Sequence, residues 1–194
     1  HADGLHDMHR GLPILTTMYN PMKWQTRGGG QTLFTSGVKA LERLETDLID
    51  ELRECVVAYM RSPNDEYPDE SRRINSGPSY MTDDGTRRVG FGADPHDASA
   101  GLRDFTLTHE HAIGGGRHPC IYRHPVTGQE SLYVSPCKSV YLLDATSGEV
   151  RHDIEETVEL LSKALWPSAK TGVRYEHHWK EGDFVAWLNT LTLH

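Results

Sequence analysis

His1 and Asp3 open the chain and His194 closes it, so residues able to bind a metal stand at both ends of the 194-residue sequence. A histidine and a carboxylate two apart point to the same side of an extended segment, because side chains alternate along a strand. With one further histidine arriving from a neighbouring strand, they would form a two-histidine, one-carboxylate set. Such a set holds non-haem Fe(II) by one octahedral face and leaves the opposite face open. His194 is the residue that would complete it.

Other constellations compete with this one. His109-Glu110-His111 could set two imidazoles on one face of a strand as a second metal pair. His6 and His9 follow the first pair closely and belong either to the lining of the same site or to the surface. His177 and His178 would point to opposite faces of a strand, so at most one faces inward. Ser135 and Cys137 lack the elbow motif and the adjacent base that activate a nucleophile. Gly114-Gly115-Gly116 lacks the lysine and the strand–helix context of a phosphate loop and reads as a turn. Arg72-Arg73 and Arg87-Arg88 are candidates for gripping an anionic substrate, with solvated loop charge as the plainer reading. Taken literally as an N-terminus, His1 could instead hold copper through its amine and imidazole, with a second histidine completing the brace.

These residues need a scaffold, and composition bounds it. A chain of this length is one domain by its size and can bury a core. With 37% hydrophobic and 25% charged residues it has the make-up of an ordinary soluble globular protein. The net charge of −8, with no basic block, argues against nucleic acid or an anionic membrane as the main partner. No apolar run is long enough to span a bilayer, and no signal-peptide pattern is present. Three unclustered cysteines do not make a disulfide framework, which fits a reducing cytoplasm.

The elements run β, then helix, then mostly β. Residues 12–19 and Gln31–Thr35 read as strands separated by the turn Arg27-Gly28-Gly29-Gly30. Ser36 can cap a helix whose apolar face is Val38, Leu41 and Leu44. A second helix starts at Thr46 and ends near Cys55-Val56-Val57. Residues 61–104 are broken by prolines, glycines and aspartates and read as a long loop or lid insertion. Short strands follow at Phe105–Thr108, Cys120–Arg123, Ser131–Val134 and Val140–Leu143, with a turn over His124–Gln129. Asp153 begins the clearest helix, with Ile154, Val158, Leu161 and Leu165 on one face, and Pro167 should stop it. Val173–Trp179 and Phe184–Trp187 are the last strands. Many short strands with few helices predict a mainly β fold with flanking helices, a double-stranded β-helix or jelly roll of the cupin type.

Four stretches, in order, carry a family resemblance. They are His1-x-Asp3 with the strand ending at Tyr19, and Gly29-Gly30-Gln31-Thr32-Leu33-Phe34 leading into a helix. Then come His118-Pro119 with His124-Pro125-Val126-Thr127-Gly128 and Ser131–Val134, and Trp179–Asn189 leading to His194. Together they resemble the taurine dioxygenase and TfdA-like group of Fe(II)- and 2-oxoglutarate-dependent oxygenases. The resemblance implies a dioxygenase that hydroxylates or desaturates a small organic acid, with Fe(II), 2-oxoglutarate and O2 as cofactor and co-substrates. By the same resemblance His1, Asp3 and His194 are the iron ligands, and Thr32 binds a carboxylate of 2-oxoglutarate. Trp187 and Asn189 match positions that shape the strand carrying the distal histidine. The family's arginine beyond that histidine, which pairs with the far carboxylate, has no counterpart here. Gln31 stands where the family usually has an acidic residue, and Leu188 where it usually has aspartate. The chain therefore reads as a domain excerpt lacking its flanking strands. A small-molecule substrate and a homo-oligomer are the expected partners. A non-catalytic metal-binding jelly roll is the alternative.

Overall fold

Most of the β-branched and aromatic stretches become strands, some in local hairpins and the others paired with segments distant in sequence. The computed structural model describes residues 12–22, 31–59, 79–81, 87–89, 109–135, 139–170 and 173–194, with only the backbone at 79–81, 87–89 and 111. In chain order the elements are β1 (Leu15–Tyr19), β2 (Thr32–Ser36), α1 (Gly37–Glu42), α2 (Thr46–Arg53) and β3 (Cys55–Tyr59). A hairpin, β4 (Ser79–Met81) and β5 (Arg87–Val89), and a 3-10 turn at His109–Ala112 come next. Strands β6 (Arg117–Pro119), β7 (Ile121–Arg123), β8 (Glu130–Leu132), β9 (Ser139–Asp144) and β10 (Val150–His152) lead to helix α3 (Ile154–Ala169). The chain closes with β11 (Tyr175–His177), β12 (Phe184–Leu188) and β13 (Thr192–Leu193). The described residues are thus mainly β-sheet with few helices.

The core forms around a four-stranded sheet ordered β10-β9-β3-β6. Its central strand β3 is a near-continuous apolar run, buried from Val57 to Tyr59, as a strand covered on both faces must be. Local pattern alone predicts that the second helix runs into this stretch. Instead α2 ends at Arg53, and Cys55–Tyr59 pairs with β9 on one side and β6 on the other. The β-branched pair Val56-Val57 favours the pleated surface, and burial between two strands outweighs local helix propensity. Leu142, Val57 and Leu52 are fully buried here, each stabilising by roughly 1.5–3 kcal/mol.

Several boundaries follow local signals. Ser36 caps α1 by accepting from the Lys39 N–H at 3.2 Å. Asp153 and Glu156 form a capping box at the start of α3. Pro167 does not stop α3, which continues to Ala169. Only the last turn lies beyond it, and buried Ser168 accepts a hydrogen bond from Arg43 that holds that turn against the end of α1. The single strand expected over Cys120–Arg123 is two. β6 stays in the large sheet, the Cys120 N–H donates to the Cys55 carbonyl while the Cys120 carbonyl accepts from the Tyr133 N–H, and β7 leaves to pair with β8. Strand β10 is three residues long, too short to show an alternating pattern in the sequence. It folds back on β9 through a turn in which Asp144 accepts from the N–H groups of Thr146 and Ser147.

Two smaller sheets complete the described fold. β1 pairs antiparallel with β12, and β2 lies between β11 and β13. On β1–β12, Leu15 opposes Leu188 and Tyr19 opposes Phe184, so these four exposed side chains share one face and Trp187 lies on the other. Of the expected 61–104 insertion only β4 and β5 are described, and the expected strand Phe105–Thr108 lies outside the described residues. Among the described residues no helix is long and apolar enough to cross a membrane.

Candidate active site on the β2 face

Strand β2 places the two described site residues on one surface. Thr32 and Phe34 are two apart and point the same way. On one side β11 sets His177 opposite Thr32 and Tyr175 opposite Phe34. On the other, β13 pairs Leu193 with Thr35, and one step further along that register brings His194 beside Phe34. Their ring centroids are 6.2 Å apart. Thr32 and His194 therefore lie on the same sheet face, about 7 Å apart along β2.

Aromatic rings hold the His194 imidazole. Trp187 meets it edge-on with centroids 5.0 Å apart, and Phe34 packs on Trp187 at 5.1 Å. Trp187 reaches the site because residues 189–191 turn sharply, with Leu191 N–H bonded to the Leu188 carbonyl and Asn189 N–H to that of Ile14. Asn189 is fully buried in this turn, which fits its expected role in shaping the approach to His194. The buried indole Nε1–H of Trp187 has no hydrogen-bond partner among the described residues, leaving an open donor beside the imidazole. Thr32 Oγ1 accepts a hydrogen bond from Trp179 Nε1 at 2.9 Å. Phe34, His177 and Trp179 were not assigned roles from sequence. The alternation Thr32-x-Phe34 held the signal for Phe34, whereas Trp179 lies 147 residues from Thr32 and nothing local joins them.

The other candidates are distributed as follows. His1 and Asp3 lie outside the described residues, as do His6, His9, Cys137, Arg72 and Arg73. Arg87 and Arg88 sit on β5. His109-Glu110-His111 is a 3-10 turn rather than a strand, so alternation does not apply. His109 is already bonded to Asp153 at 2.7 Å and packed on Tyr141. Gly114 has φ 75°, in keeping with the turn read there. Ser135 is fully buried, and its backbone N–H donates to Tyr59 Oη. Leu188, the departure from aspartate, points to the exposed face away from Trp187, and Gln31 is exposed.

A second cluster has the residue types of a metal site. Glu51, Cys55 and His152 bring three potential ligand atoms within 4.8 Å of one another. Its charges are already matched. Arg151 donates to both Glu51 oxygens at 2.7 and 2.9 Å, and His152 Nε2 lies 2.6 Å from one of them. Hydrogen bonds from Arg151 and then His152 hold the Glu51 carboxyl at about 2. Burial pushes the Cys55 thiol up to about 11, so it stays protonated at neutral pH. A cation would have to displace a bidentate guanidinium and ionise a buried thiol. The cluster is a structural tie between α2 and the β9–β10 hairpin.

Over residues 22–194 the sequence matches the pattern of the Taurine catabolism dioxygenase TauD, TfdA family. The chain belongs to this TauD, TfdA family. It is 30% identical over 165 residues to the alpha-ketoglutarate-dependent xanthine dioxygenase xan-1 of Neurospora crassa, covering 85% of this chain and 35% of that protein. It is 27% identical over 170 residues to pentalenolactone F synthase of Streptomyces arenae, covering 86% of this chain and 46% of the synthase. The chain thus spans less than half the length of either relative. In fold it is similar to a taurine dioxygenase from Burkholderia xenovorans, with TM-score 0.55 and 18% identity over 98% of this chain and 50% of that one. It is equally similar, with TM-score 0.55 and 18% identity, to AAD-2 in complex with Mn(II) and N-oxalylglycine, covering 96% of this chain and 51% of that one.

TauD-like dioxygenases use Fe(II), 2-oxoglutarate and O2, and the described residues fit that group. An imidazole is fixed between aromatic rings, a threonine hydroxyl lies on the same face, and a buried indole N–H is open beside them. The Glu51–Cys55–His152 cluster has a thiol in place of a second hard ligand and suits Fe(II) chemistry less well.

Proposed function

We propose that the chain carries the catalytic centre of an Fe(II)- and 2-oxoglutarate-dependent dioxygenase that hydroxylates or desaturates a small organic acid-type substrate. The observation that carries this reading is the convergence of Thr32 and His194 on one face of β2 in a chain of this family. His1, Asp3 and His194 would hold the iron, and Thr32 would hold a carboxylate of 2-oxoglutarate. When bound, this group supplies oxidation of a substrate C–H bond coupled to conversion of 2-oxoglutarate to succinate and CO2. The protein's own part is orientation and exclusion of water. Trp187 and Phe34 fix the plane of the His194 ring and seal its flank. The Thr32 hydroxyl offers one proton to an anionic oxygen.

We read these strands as parts of a single jelly-roll domain, with residues 61–104 as a long loop or lid insertion in its sequence. The substrate class rests on the family resemblance, and the relatives named for xanthine and for pentalenolactone F widen the range of small molecules worth testing. The test is a panel of purines, sulfonates, aryloxy acids and amino-acid derivatives supplied with Fe(II), 2-oxoglutarate and O2. A substrate should raise succinate at least about 10-fold over the uncoupled rate and yield a product one oxygen heavier, or two hydrogens lighter. Succinate that stays at background in the full-length protein across all classes contradicts the proposal.

A further inference from the structure

We infer that Trp179 is a positioning residue that commits the Thr32 hydroxyl to donating its proton to the bound carboxylate. The inference rests on the reading of Thr32 as the 2-oxoglutarate contact, and it assigns the residue that prepares Thr32 for that task.

A threonine hydroxyl has one proton and two acceptor lone pairs, whereas an indole N–H donates and cannot accept. Trp179 Nε1 donates to Thr32 Oγ1 at 2.9 Å. This bond fills a lone pair and leaves the hydroxyl proton unspent. Tyrosine, histidine or glutamine at position 179 could accept that proton instead and compete with the carboxylate. Tryptophan cannot. A carboxylate offers only lone pairs, so the two partners of Thr32 make complementary and non-competing demands.

The indole is braced for this role. His177, directly opposite Thr32 in the β11–β2 register, packs edge-on against Trp179 with ring centroids 4.5 Å apart at 85°. Beyond Trp179 the chain is held by a turn in which Lys180 N–H donates to Asp183 Oδ2 at 2.7 Å, while Asn20 Nδ2 donates to the Lys180 carbonyl at 2.9 Å. Asp183 Oδ2 also lies 3.3 Å from His177 Nε2, within ion-pair reach but off the line of a hydrogen bond. Both Trp179 and Thr32 are half-buried, so their bond is partly shielded from competing water.

The experiment is a double-mutant cycle with Trp179→Phe, Thr32→Val and the pair, in the full-length protein loaded with Mn(II) in place of iron. Affinity for 2-oxoglutarate is read by calorimetry without oxygen, and KM and kcat are read separately with Fe(II). Thr32→Val should weaken 2-oxoglutarate binding about 10-fold or more, the worth of a hydrogen bond to a charged group. Trp179→Phe keeps the ring against His177 and should weaken binding about 3- to 10-fold, raising KM while kcat stays within about twofold. In the Thr32→Val background the second change should cost nothing further. In the metal-free protein, Thr32→Val should also shift the Trp179 indole N–H resonance and speed its hydrogen exchange, which reads the bond whatever the stability of Trp179→Phe. Additive losses, or an unchanged affinity in Trp179→Phe, would overturn the positioning role. Unchanged affinity in Thr32→Val would instead remove the threonine contact on which it stands.

Discussion

His194→Ala should cut oxygen-dependent succinate formation by about 10³-fold or more while leaving the protein folded. Outer partners of metal ligands typically cost about 10- to 100-fold when removed, and a ligand itself should cost more. Here the imidazole follows the last described strand, half-buried against Trp187 and Phe34. The backbone that delivers it is tied elsewhere, through the β13–β2 pairing and the Leu191 carbonyl's bond from Gly37 N–H. Truncating the ring therefore removes the nitrogen proposed to bind the metal, and some aromatic contact, without cutting the sheet. The packing loss is on the order of 1 kcal/mol, visible as a small drop in melting temperature. Fe(II) affinity should fall in parallel with turnover. Turnover within about tenfold of the parent would mean that His194 is not a ligand.

Gly37→Val should destabilise the protein by about 3 kcal/mol, against the sign expected from helix propensity. Glycine costs about 1 kcal/mol in a helix relative to alanine, so a side chain at the start of α1 would ordinarily help. Packing decides otherwise. A Cβ on Gly37 would sit 2.8 Å from the Leu132 carbonyl, 3.2 Å from Ser131 Cβ and 3.3 Å from the Leu191 carbonyl. None of these is the mobile end of a flexible side chain. Ser131 is also anchored, its hydroxyl donating to the Thr190 carbonyl at 2.6 Å. The first turn of α1 is thus wedged between β8 and the 189–191 turn, where overpacking costs about 1–3 kcal/mol and sometimes more. The same strain would move the turn that leads to His194, so activity measured well below the unfolding transition should fall as well. Denaturant midpoints and cold turnover rates check the two parts separately. Unchanged stability would show that the α1–β8 contact yields readily.

The parts legible in sequence were those with a local cause. Ser36 and Asp153 announce their helices because a short polar side chain before an apolar periodic run satisfies orphan N–H groups. The ordered Gly-Gly-x-Thr and Trp-x-Asn stretches pointed to Thr32 and to the approach of His194, and both residues prove to flank Phe34 on one sheet face. Long-range pairing was less legible. Cys55–Tyr59 resembles the end of a helix until β9 and β6 close around it. The two-residue strand β13 carries no periodicity at all, and exists because Ser36 and Thr35 are opposite it. His109 looked like one of a ligand pair, but only the fold brings Asp153 to it across 44 residues. The same holds for Trp179 and Thr32, and for the Glu51–Arg151 pair, which turns a metal-like cluster into a tie between elements.

The measurement that bears most directly on the central claim is X-ray absorption at the iron edge of the full-length protein, loaded with Fe(II) and 2-oxoglutarate without oxygen. A site built on His194, with His1 and Asp3, predicts nitrogen and oxygen neighbours alone, with one histidine fewer in His194→Ala. A sulfur neighbour would point to Glu51, Cys55 and His152 instead, and either that or a spectrum indifferent to His194→Ala would contradict the β2-face site.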